Sequence, residues 1–398
     1  MKFAVVSYLL PPSFSGQAMM LYRLLKDLDP DSYCLISTQT PDVPEGQSYS
    51  RKLPGKYFQI STESELGRGH RFGLSVAREG INVTYGAFMR ARQIARIVRE
   101  EKCEAVLSCS SGVDLLDVPS GFFASRMAGV PFYIYLFDTY SHMWLNPQTR
   151  FLGRLLEPAI LKRATGIIVT NESVRELLSD RYGVESVVIH NPCDLSDYEA
   201  ELPEQTDEGG VKVVYTGAVY EAHYGALRNL IVAIESLGRP DVNLHLYTAF
   251  PQDVLSEKGI RGPVVFHGHQ PIFAIPSIQR RADVLFLPLA FDSPYPELVR
   301  VSSPSKVGEF LAARRPVLVH APRDSFISKY FREHDCGLVV DEADPQLLAQ
   351  ALVRLLTEAG LAQRLIANAW KRAVADFSLQ AAEDKFARVM KLERGARA

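Results

Sequence analysis

The segment from Ser302 to Leu311 reads SSPSKVGEFL, and its residue types suit the binding of a phosphorylated ligand. Ser303 is a favourable N-cap and Pro304 suits the first helical position, so the spacing predicts that a helix begins here. A helix N-terminus offers unpaired N–H groups that can bind a diphosphate. Lys306 adds a cation, and the carboxylate of Glu309 can accept both hydroxyls of a ribose. On these residues alone, an ordinary capped surface helix explains the segment equally well.

Strand-like and helical segments alternate along the whole chain and must position these residues. In the first half, apolar runs typical of strands are KFAVVSYL, SYCLIST, AVLSCSS, PFYIYLF, GIIVTN and SVVIHNP. In the second half they are VKVVYTG, VNLHLYT, VVFHG, ADVLFLPLA, PVLVHA and GLVVD. Continuous apolar strands separated by helices indicate parallel, doubly wound sheets that are covered on both faces. We therefore predict an α/β protein with two Rossmann-like domains.

The change of composition at residues 199–210 predicts the linker between these domains. This stretch is acidic and contains Pro and Gly, which is typical of domain boundaries. The N-terminal domain would then span residues 1–198 and the C-terminal domain residues 211–376. Ligands of such sheets bind beyond the carboxyl ends of the strands, so we expect a site in a cleft that the two domains face.

Composition excludes several other classes of protein. The chain has 398 residues, of which 47% are hydrophobic and 23% charged, with a net charge of −2. These values exclude a mainly disordered or collagenous chain and give no reason to expect a nucleic-acid partner. The five cysteines are scattered without a CxxC pair, which favours reduced thiols in the cytoplasm. The apolar run after Met1 ends at Pro11-Pro12 and is better explained as a strand than as a signal peptide.

Several segments, taken in order, resemble one known family. They are the loop from Pro11-Pro12 to Gly16 and the runs IIVTNESVRELL, VVIHNPCD, VVYTGAVY, ADVLFLPL, SSPSKVGEFLAARRPVLV and CGLVV. The sequence resembles the GT-B glycosyltransferases, in the large retaining group of bacterial cell-surface polysaccharide enzymes (glycosyltransferase family four-like). The resemblance implies a GT-B fold and the transfer of a sugar from a nucleotide-sugar donor to an acceptor hydroxyl, with retention. It also implies that helix 377–398 packs back on the first domain.

The resemblance assigns donor-binding roles to residues of both domains. Glu309 would bind the ribose, and the others would meet the phosphates, the sugar or the base: Gly16, Gln17, Gly217, Arg228, His269, Ser303, Pro304, Ser305 and Lys306. Arg228 would replace an Arg and Lys pair that the family carries after the first strand of this domain. Val301 stands where the family has the first of two glutamates. Gly217 is explained equally well as a plain turn glycine.

The first domain would supply the acceptor side. Asp138 follows the strand PFYIYLF and matches the family's His-Asp pair, with His142 as an alternative nearby. A carboxylate or an imidazole there can orient or deprotonate an acceptor hydroxyl, although a capping Asp and a surface His explain the residues as well. The acceptor would be a glycan, a lipid-linked glycan or a small molecule. The family needs no metal and no cofactor besides the donor, and the chain has no DxD-type motif.

Three alternatives stay open on the sequence alone. The segment 150–164 carries four basic residues among Leu and Ile, so it is either an ordinary domain helix or a peripheral membrane contact at the inner face of the membrane. A nucleotide-sugar epimerase or hydrolase has the same fold. A non-catalytic nucleotide-sugar-binding subunit is also consistent with the loss of the first glutamate.

Overall fold

The computed structural model describes residues 1–13, 15–39, 51–61, 75–110, 114–142, 147–199, 209–293 and 295–392. The chain forms two compact units. The first contains Met1–His190 and the chain from Ala382 onward, and the second contains Asn191–Ala381. The sequence predicted a linker at 199–210, most of which lies outside the described residues, and a return to the first domain at residue 377.

Over its described residues, the first unit contains a seven-stranded sheet. Its strands are β1 (Phe3–Val6), β2 (Tyr33–Ser37), β3 (Lys56–Gln59), β4 (Ala105–Ser110), β5 (Phe132–Leu136), β6 (Gly166–Val169) and β7 (Val187–Val188). Its helices are α1 (Gly16–Leu25), α2 (Ser75–Glu100), α3 (Asp117–Ala128), α4 (Pro147–Leu161) and α5 (Glu172–Tyr182), with 3-10 turns at Pro30–Ser32 and Tyr140–His142. The strand order is β3-β2-β1-β4-β5-β6-β7, and all neighbours pair in parallel.

The second unit repeats this plan with six strands in the described part of the chain. They are β8 (Val211–Thr216), β9 (Val242–Tyr247), β10 (Val264–His267), β11 (Val284–Pro288), β12 (Val317–His320) and β13 (Leu338–Val340). Helices α6 (Ser196–Glu199), α7 (Glu221–Ser236), α8 (Gln252–Glu257) and α9 (Ile275–Arg280) come before β11, with a 3-10 turn at Ile272–Ala274. Those after it are α10 (Pro296–Val301), α11 (Val307–Ala312), α12 (Phe326–Glu333), α13 (Pro345–Thr357) and α14 (Ala359–Arg372). The order is β10-β9-β8-β11-β12-β13, again all parallel.

The end of the chain is not one continuous helix. After α14 come a π-helical turn at Ala373–Phe377 and then α15 (Leu379–Met390). From Ala382 onward this helix belongs to the first unit, where the ring of Phe386 meets Phe3 edge-on at a centroid distance of 6.1 Å. Burial of this aromatic pair ties α15 to β1 in the core of the first unit.

Both sheets reverse their direction of growth at one place, between β1 and β4 in the first unit and between β8 and β11 in the second. The strands at these positions are buried on both faces, which explains their continuous apolar sequences. In doubly wound sheets, ligands bind at the carboxyl ends of the strands that flank such a reversal. The predicted fold of two Rossmann-like, parallel-sheet domains is confirmed.

Candidate functional site

The helix that was predicted to begin at Ser303 and Pro304 begins three residues later. Helix α10 ends at Val301, and α11 starts at Val307 with Lys306 as its N-cap residue. The N–H of Val307 donates to the carbonyl of Pro304 at 3.0 Å, so the intervening residues form a turn between two helices. The prediction of the helix start was therefore wrong, because a preceding helix takes up the chain just before the serines. Glu309 consequently lies in the first turn of α11.

The ammonium of Lys306 is fixed against the end of strand β8. Its Nζ donates to the hydroxyl of Tyr215 at 2.7 Å and lies 4.1 Å from the centroid of the same ring. The hydroxyl of Tyr215 in turn donates to the carbonyl of Ala218 at 2.6 Å. Tyr215 is buried, so this strand residue holds the cation at the carboxyl edge of the sheet.

Gly217 follows β8 and lies directly beside this ammonium. Its φ of +123° is a conformation that side chains with a Cβ rarely adopt. A Cβ at this position would lie 2.9 Å from the Nζ of Lys306. The backbone conformation therefore favours glycine here, and a Cβ would also displace the ammonium of Lys306 from its present position.

Burial dominates the electrostatics of this cluster. Desolvation lowers the pKa of Lys306 to about 8, although the nearby carboxylate of Glu309 acts in the opposite direction. His223, in the first turn of α7, has its pKa lowered to about 3 by burial and by the positive charge of Lys306. The imidazole is thus neutral. A desolvated cation of this kind is favourably compensated by an anionic ligand such as a diphosphate.

Glu309 is connected to the sheet through a buried glutamine. The side-chain amide of Gln279 donates to Thr216 Oγ1 at 2.9 Å and to Glu309 Oε2 at 3.5 Å. Its Oε1 accepts from the hydroxyl of Tyr198 at 2.6 Å. Sequence reasoning missed Gln279, Thr216 and Tyr198. No local motif marks them, because they meet only after α6, β8 and α9 are brought together.

The residues before Lys306 contribute a polar turn. The carbonyl of Ser303 accepts from Asn191 Nδ2 at 3.0 Å. Its hydroxyl oxygen is buried and has no hydrogen-bond partner within the described ranges, so a ligand oxygen would satisfy it. Pro304 is half-buried and Ser305 is exposed. The turn therefore places a buried hydroxyl without a described partner three residues before Lys306.

The predicted base-contacting histidine lies beyond a stack of rings at the ends of β9 and β10. His267 stacks on Tyr247 with centroids 4.1 Å apart, and its Nε2 lies 3.1 Å from Nδ1 of His245. His269, two residues further on, is exposed in the following loop. The sequence indicated the loop after β10 but gave no sign of strand β9, whose alternate residues His245 and Tyr247 supply the two other rings.

Arg228 lies on the exposed side of α7. It donates from Nη1 to the carbonyl of Lys258 at 3.1 Å, and its Cδ lies 3.2 Å from where a Cβ on Gly259 would be. These contacts connect α7 to the end of α8. The structure thus gives Arg228 a partner outside the group formed by Tyr215, Gly217 and Lys306.

In the first unit, the predicted phosphate-closing residues begin helix α1. Ser15 caps this helix by accepting from the N–H of Ala18, and Gly16 is its exposed first residue. The amide of Gln17 donates to Ser7 Oγ at 2.7 Å, just beyond the end of β1. Gly16 and Gln17 therefore lie at the carboxyl edge of the first sheet.

Asp138 follows β5 at the same edge. It is half-buried, and desolvation raises the pKa of its carboxyl group to about 6. The hydroxyl of Ser110 approaches its backbone carbonyl at 3.5 Å, and among the residues with described side chains none hydrogen-bonds to its carboxylate. Within the described part of the chain, this carboxylate therefore makes no capping bond. His142 ends the 3-10 turn at Tyr140–His142, but its side chain lies outside the described residues.

In the ranges that the structure covers, no cluster of three or more His, Cys, Asp or Glu side chains is arranged to hold a metal ion. Within the same ranges, no helix has the length and apolar character to cross a bilayer.

The chain is similar to several known proteins. Residues 210–358 match the family model described as Glycosyl transferases group 1. The chain is 23% identical over 297 residues to alpha-D-kanosaminyltransferase of Streptomyces kanamyceticus, covering 67% of this chain and 72% of that protein. It is similar to HepE of Anabaena, solved in complex with UDP, with a TM-score of 0.69, 14% identity, and 98% and 100% of the two chains covered.

A second solved structure is WaaG, a glycosyltransferase involved in lipopolysaccharide biosynthesis. Its TM-score is 0.62 at 14% identity, and the alignment covers 99% of this chain and 100% of WaaG. At these identities the solved structures establish the fold, which is GT-B. The resemblance drawn from the sequence is confirmed. The match to the group 1 glycosyltransferase model spans residues 210–358 and therefore includes Gly217, Lys306 and Glu309.

Proposed function

We propose that this protein is a glycosyltransferase that moves a hexosyl group from a nucleotide sugar to an acceptor hydroxyl, with retention of the anomeric configuration. The observation that carries the proposal is the desolvated ammonium of Lys306, held beside Gly217 at the carboxyl end of β8 within the group 1 domain. HepE, which has the same fold, was solved with UDP and with UDP-glucose, and this supports a nucleotide sugar as the donor.

In this proposal one group of residues binds the diphosphate of the donor and another residue binds its ribose. Lys306 and the hydroxyl of Ser303 bind the diphosphate, and the close approach of the chain at Gly217 leaves room for it. Glu309 accepts hydrogen bonds from the ribose hydroxyls. The charge of Lys306 stabilises the leaving diphosphate, a role that positively charged groups perform at transferring phosphates. The transfer then proceeds without a metal or a further cofactor.

The bond between the anomeric carbon and the diphosphate oxygen breaks as a bond to the acceptor oxygen forms on the same face. The acceptor proton passes to the departing diphosphate, so no protein nucleophile is needed. Asp138 orients the acceptor hydroxyl. With a pKa of about 6, its carboxyl group is mostly ionised at neutral pH and accepts that hydrogen bond. The acceptor is a glycan, a lipid-linked glycan or a small molecule.

We also propose that helix α4 contacts the inner face of a membrane. Phe151 and Leu155 are 66% and 63% exposed and lie one turn apart on the same side of the helix. Arg154 is exposed between them, and Lys162 and Arg163 are exposed just after the helix. An apolar pair flanked by cations suits an anionic lipid surface.

The acidic residue of α4 does not weaken this charge pattern. Glu157 is buried, accepts from the hydroxyl of Tyr182 at 2.6 Å and also accepts from the N–H of Ser141 at 3.3 Å. Its carboxylate therefore points into the first unit. The exposed side of the helix is left with apolar and basic groups.

The donor proposal is tested by thermal stabilisation with UDP-, GDP-, ADP- and dTDP-sugars and the free nucleotides, in the presence of EDTA. A ligand at 100 times its dissociation constant adds about 2.7 kcal/mol. For a unit of this size, we expect the melting temperature to rise by roughly 5–10 °C with one nucleotide family. Glu309→Gln should reduce that rise, and the exposed Glu257→Gln is the matched control.

The same panel separates the rival functions. Stabilisation followed by sugar transfer to an added acceptor supports the transferase. Stabilisation with release of free nucleotide but no transfer supports an epimerase or a hydrolase, and stabilisation with neither supports a non-catalytic subunit. The buried apolar Val301, in place of the family's first glutamate, is what makes this last outcome worth measuring. No rise with any nucleotide sugar contradicts the proposal.

The membrane contact is tested by co-sedimentation with vesicles of phosphatidylglycerol and of phosphatidylcholine. Burial of two large apolar side chains contributes roughly 2 kcal/mol or more, so Phe151→Ser with Leu155→Ser should weaken binding to anionic vesicles at least tenfold. Phe273→Ser, at an 85% exposed residue of the second unit, is the control. Equal losses in the control and the double variant would contradict a contact through α4.

A further inference from the structure

Gln279 carries a fully buried side-chain amide, which lies beside Glu309 in the proposed nucleotide-sugar site. It has 0% exposure and lies in the short helix α9, which faces the end of β8. Its side chain makes contacts with three polar groups, Thr216, Glu309 and Tyr198. A buried amide that satisfies several partners at once restricts each of them to one orientation.

The chemistry of the partners fixes which way this amide points. An ionised carboxylate only accepts hydrogen bonds, so the NH₂ group of Gln279 must face Glu309 Oε2. Its Oε1 then faces Tyr198 and must accept from that hydroxyl, at 2.6 Å. The second N–H donates to Thr216 Oγ1 at 2.9 Å. The donor at Tyr198 and the acceptor at Glu309 therefore require the same orientation of the amide.

We infer that Gln279 is a positioning residue that makes the site specific for the ribose of the donor. This inference rests on the proposed function, in which Glu309 binds the ribose hydroxyls. By donating to Oε2, Gln279 holds the carboxylate in the plane in which its remaining acceptor positions meet two neighbouring hydroxyls. Without this bond, Oε2 of Glu309 loses the donor that orients it. The ribose hydroxyls then bind less tightly, so the preference over a nucleotide that lacks them should fall.

The experiment measures the affinity of UDP, GDP and ADP, each beside its 2′,3′-dideoxy analogue, by calorimetry. The wild-type protein should favour one ribonucleotide over its dideoxy analogue by about tenfold or more, since hydrogen bonds to a charged group are among the strong ones. Gln279→Leu should lose most of this preference while the dideoxy analogue binds as before. Gln350→Leu, at an exposed glutamine of α13, should keep the preference.

A second variant gives a readout that a merely structural residue would not change. Gln279→Glu places two carboxylates in contact, and their repulsion raises the pKa of one of them, so that the pair shares a proton at mildly acidic pH. The shared proton restores the donor to Glu309, so the ribose preference should be low at pH 8 and should return towards pH 5.5. Tyr198→Phe removes the hydroxyl that orients the amide and should reduce the preference more mildly, which covers the case in which Gln279→Leu does not fold.

The two ideas fail in different ways. A wild-type protein that binds nucleotides without preferring the ribose removes the role of Glu309, and with it both proposals for this carboxylate. A wild-type preference that survives in Gln279→Leu, or in Gln279→Glu at pH 8, overturns the positioning role alone. A preference that is lost at every pH in Gln279→Glu also overturns it, since the proton would then have restored nothing.

Discussion

Replacing Lys306 with methionine should stabilise the unliganded protein and remove its response to nucleotides. The side chain is held among buried groups, with its ammonium 2.7 Å from the hydroxyl of Tyr215. If Lys306 served only to stabilise the fold, its replacement would lower the free energy of unfolding. If Lys306 serves to bind an anionic ligand, its desolvated charge destabilises the fold while that ligand is absent. The two roles therefore predict opposite signs for the change in the free energy of unfolding.

The size of the effect follows from the pKa. Burial lowers the pKa of Lys306 from 10.5 to about 8, which corresponds to roughly 3 kcal/mol against the charged form at about 1.4 kcal/mol per pKa unit. The substitution loses one hydrogen bond and one cation–π contact, each worth about 1 kcal/mol. Tyr215 keeps its bond to the carbonyl of Ala218, so no buried hydroxyl is orphaned. The net gain should be about 1 kcal/mol at pH 7.

The gain should depend on pH with a defined sign. The folded pKa of Lys306 lies below its ordinary value, so the destabilising charge is present below about pH 8. Between pH 8 and 10.5 the unfolded chain holds a proton that the folded lysine has released, and wild-type stability rises relative to the variant. The advantage of Lys306→Met should therefore shrink above pH 8 and reverse before pH 10.5.

The assay is thermal unfolding from pH 7 to pH 10, with and without the stabilising nucleotide. We expect the variant to melt roughly 2–4 °C higher than the wild type at pH 7 and to show little rise with nucleotide. Lys258→Met, at an exposed lysine of the same unit, should match the wild type in both respects. A variant that melts lower than the wild type at pH 7 and keeps its nucleotide response would refute the reasoning.

Three further outcomes are expected. Asp138→Asn should lower sugar transfer at least tenfold and leave nucleotide stabilisation intact. Wild-type transfer should fall below about pH 6, because this carboxyl group is then protonated. An equal loss of nucleotide binding in the variant would contradict an acceptor role. Gly217→Ala should remove nucleotide binding and destabilise the protein by about 1 kcal/mol or more. Residue 217 has a φ of +123°, and a Cβ there would contact Lys306. An unchanged melting curve would contradict this prediction. The free energy of unfolding should fall as the pH drops below 6.5, because His223 stays neutral to about pH 3 in the folded protein but is protonated in the unfolded chain. Urea unfolding at pH 5 and pH 7.5 measures this fall, which should be smaller in His223→Phe.

The sequence predicted the sheets better than the ends of the helices. Strands such as β1 and β11 are buried along their whole length, so burial leaves a continuous apolar signal. Strand β3 was missed because Lys56–Gln59 is a half-exposed edge strand without such a run. The start of α11 was misplaced because Ser303 and Pro304 carry capping signals that a turn between two helices uses equally well.

Site residues were predictable only where a local motif marks them. Lys306 and Glu309 lie three positions apart and were found from the sequence. Their partners lie far away along the chain, since Lys306 is 91 positions from Tyr215 and Gln279 is 81 positions from Tyr198. Such pairs depend on how the helices pack on the sheet, and one sequence contains no periodicity that encodes this.

The structure connects the two ends of the proposed donor site through neighbouring residues of one strand. Tyr215 and Thr216 are the last residues of β8, and consecutive side chains of a strand point to opposite faces of the sheet. Tyr215 holds the ammonium of Lys306, whereas Thr216 accepts from Gln279, which donates to Glu309. The rigid backbone of β8 therefore sets the positions of both charged groups. A ligand that spans a diphosphate and a ribose meets two charges fixed by the same strand, so displacement of β8 should weaken both contacts together.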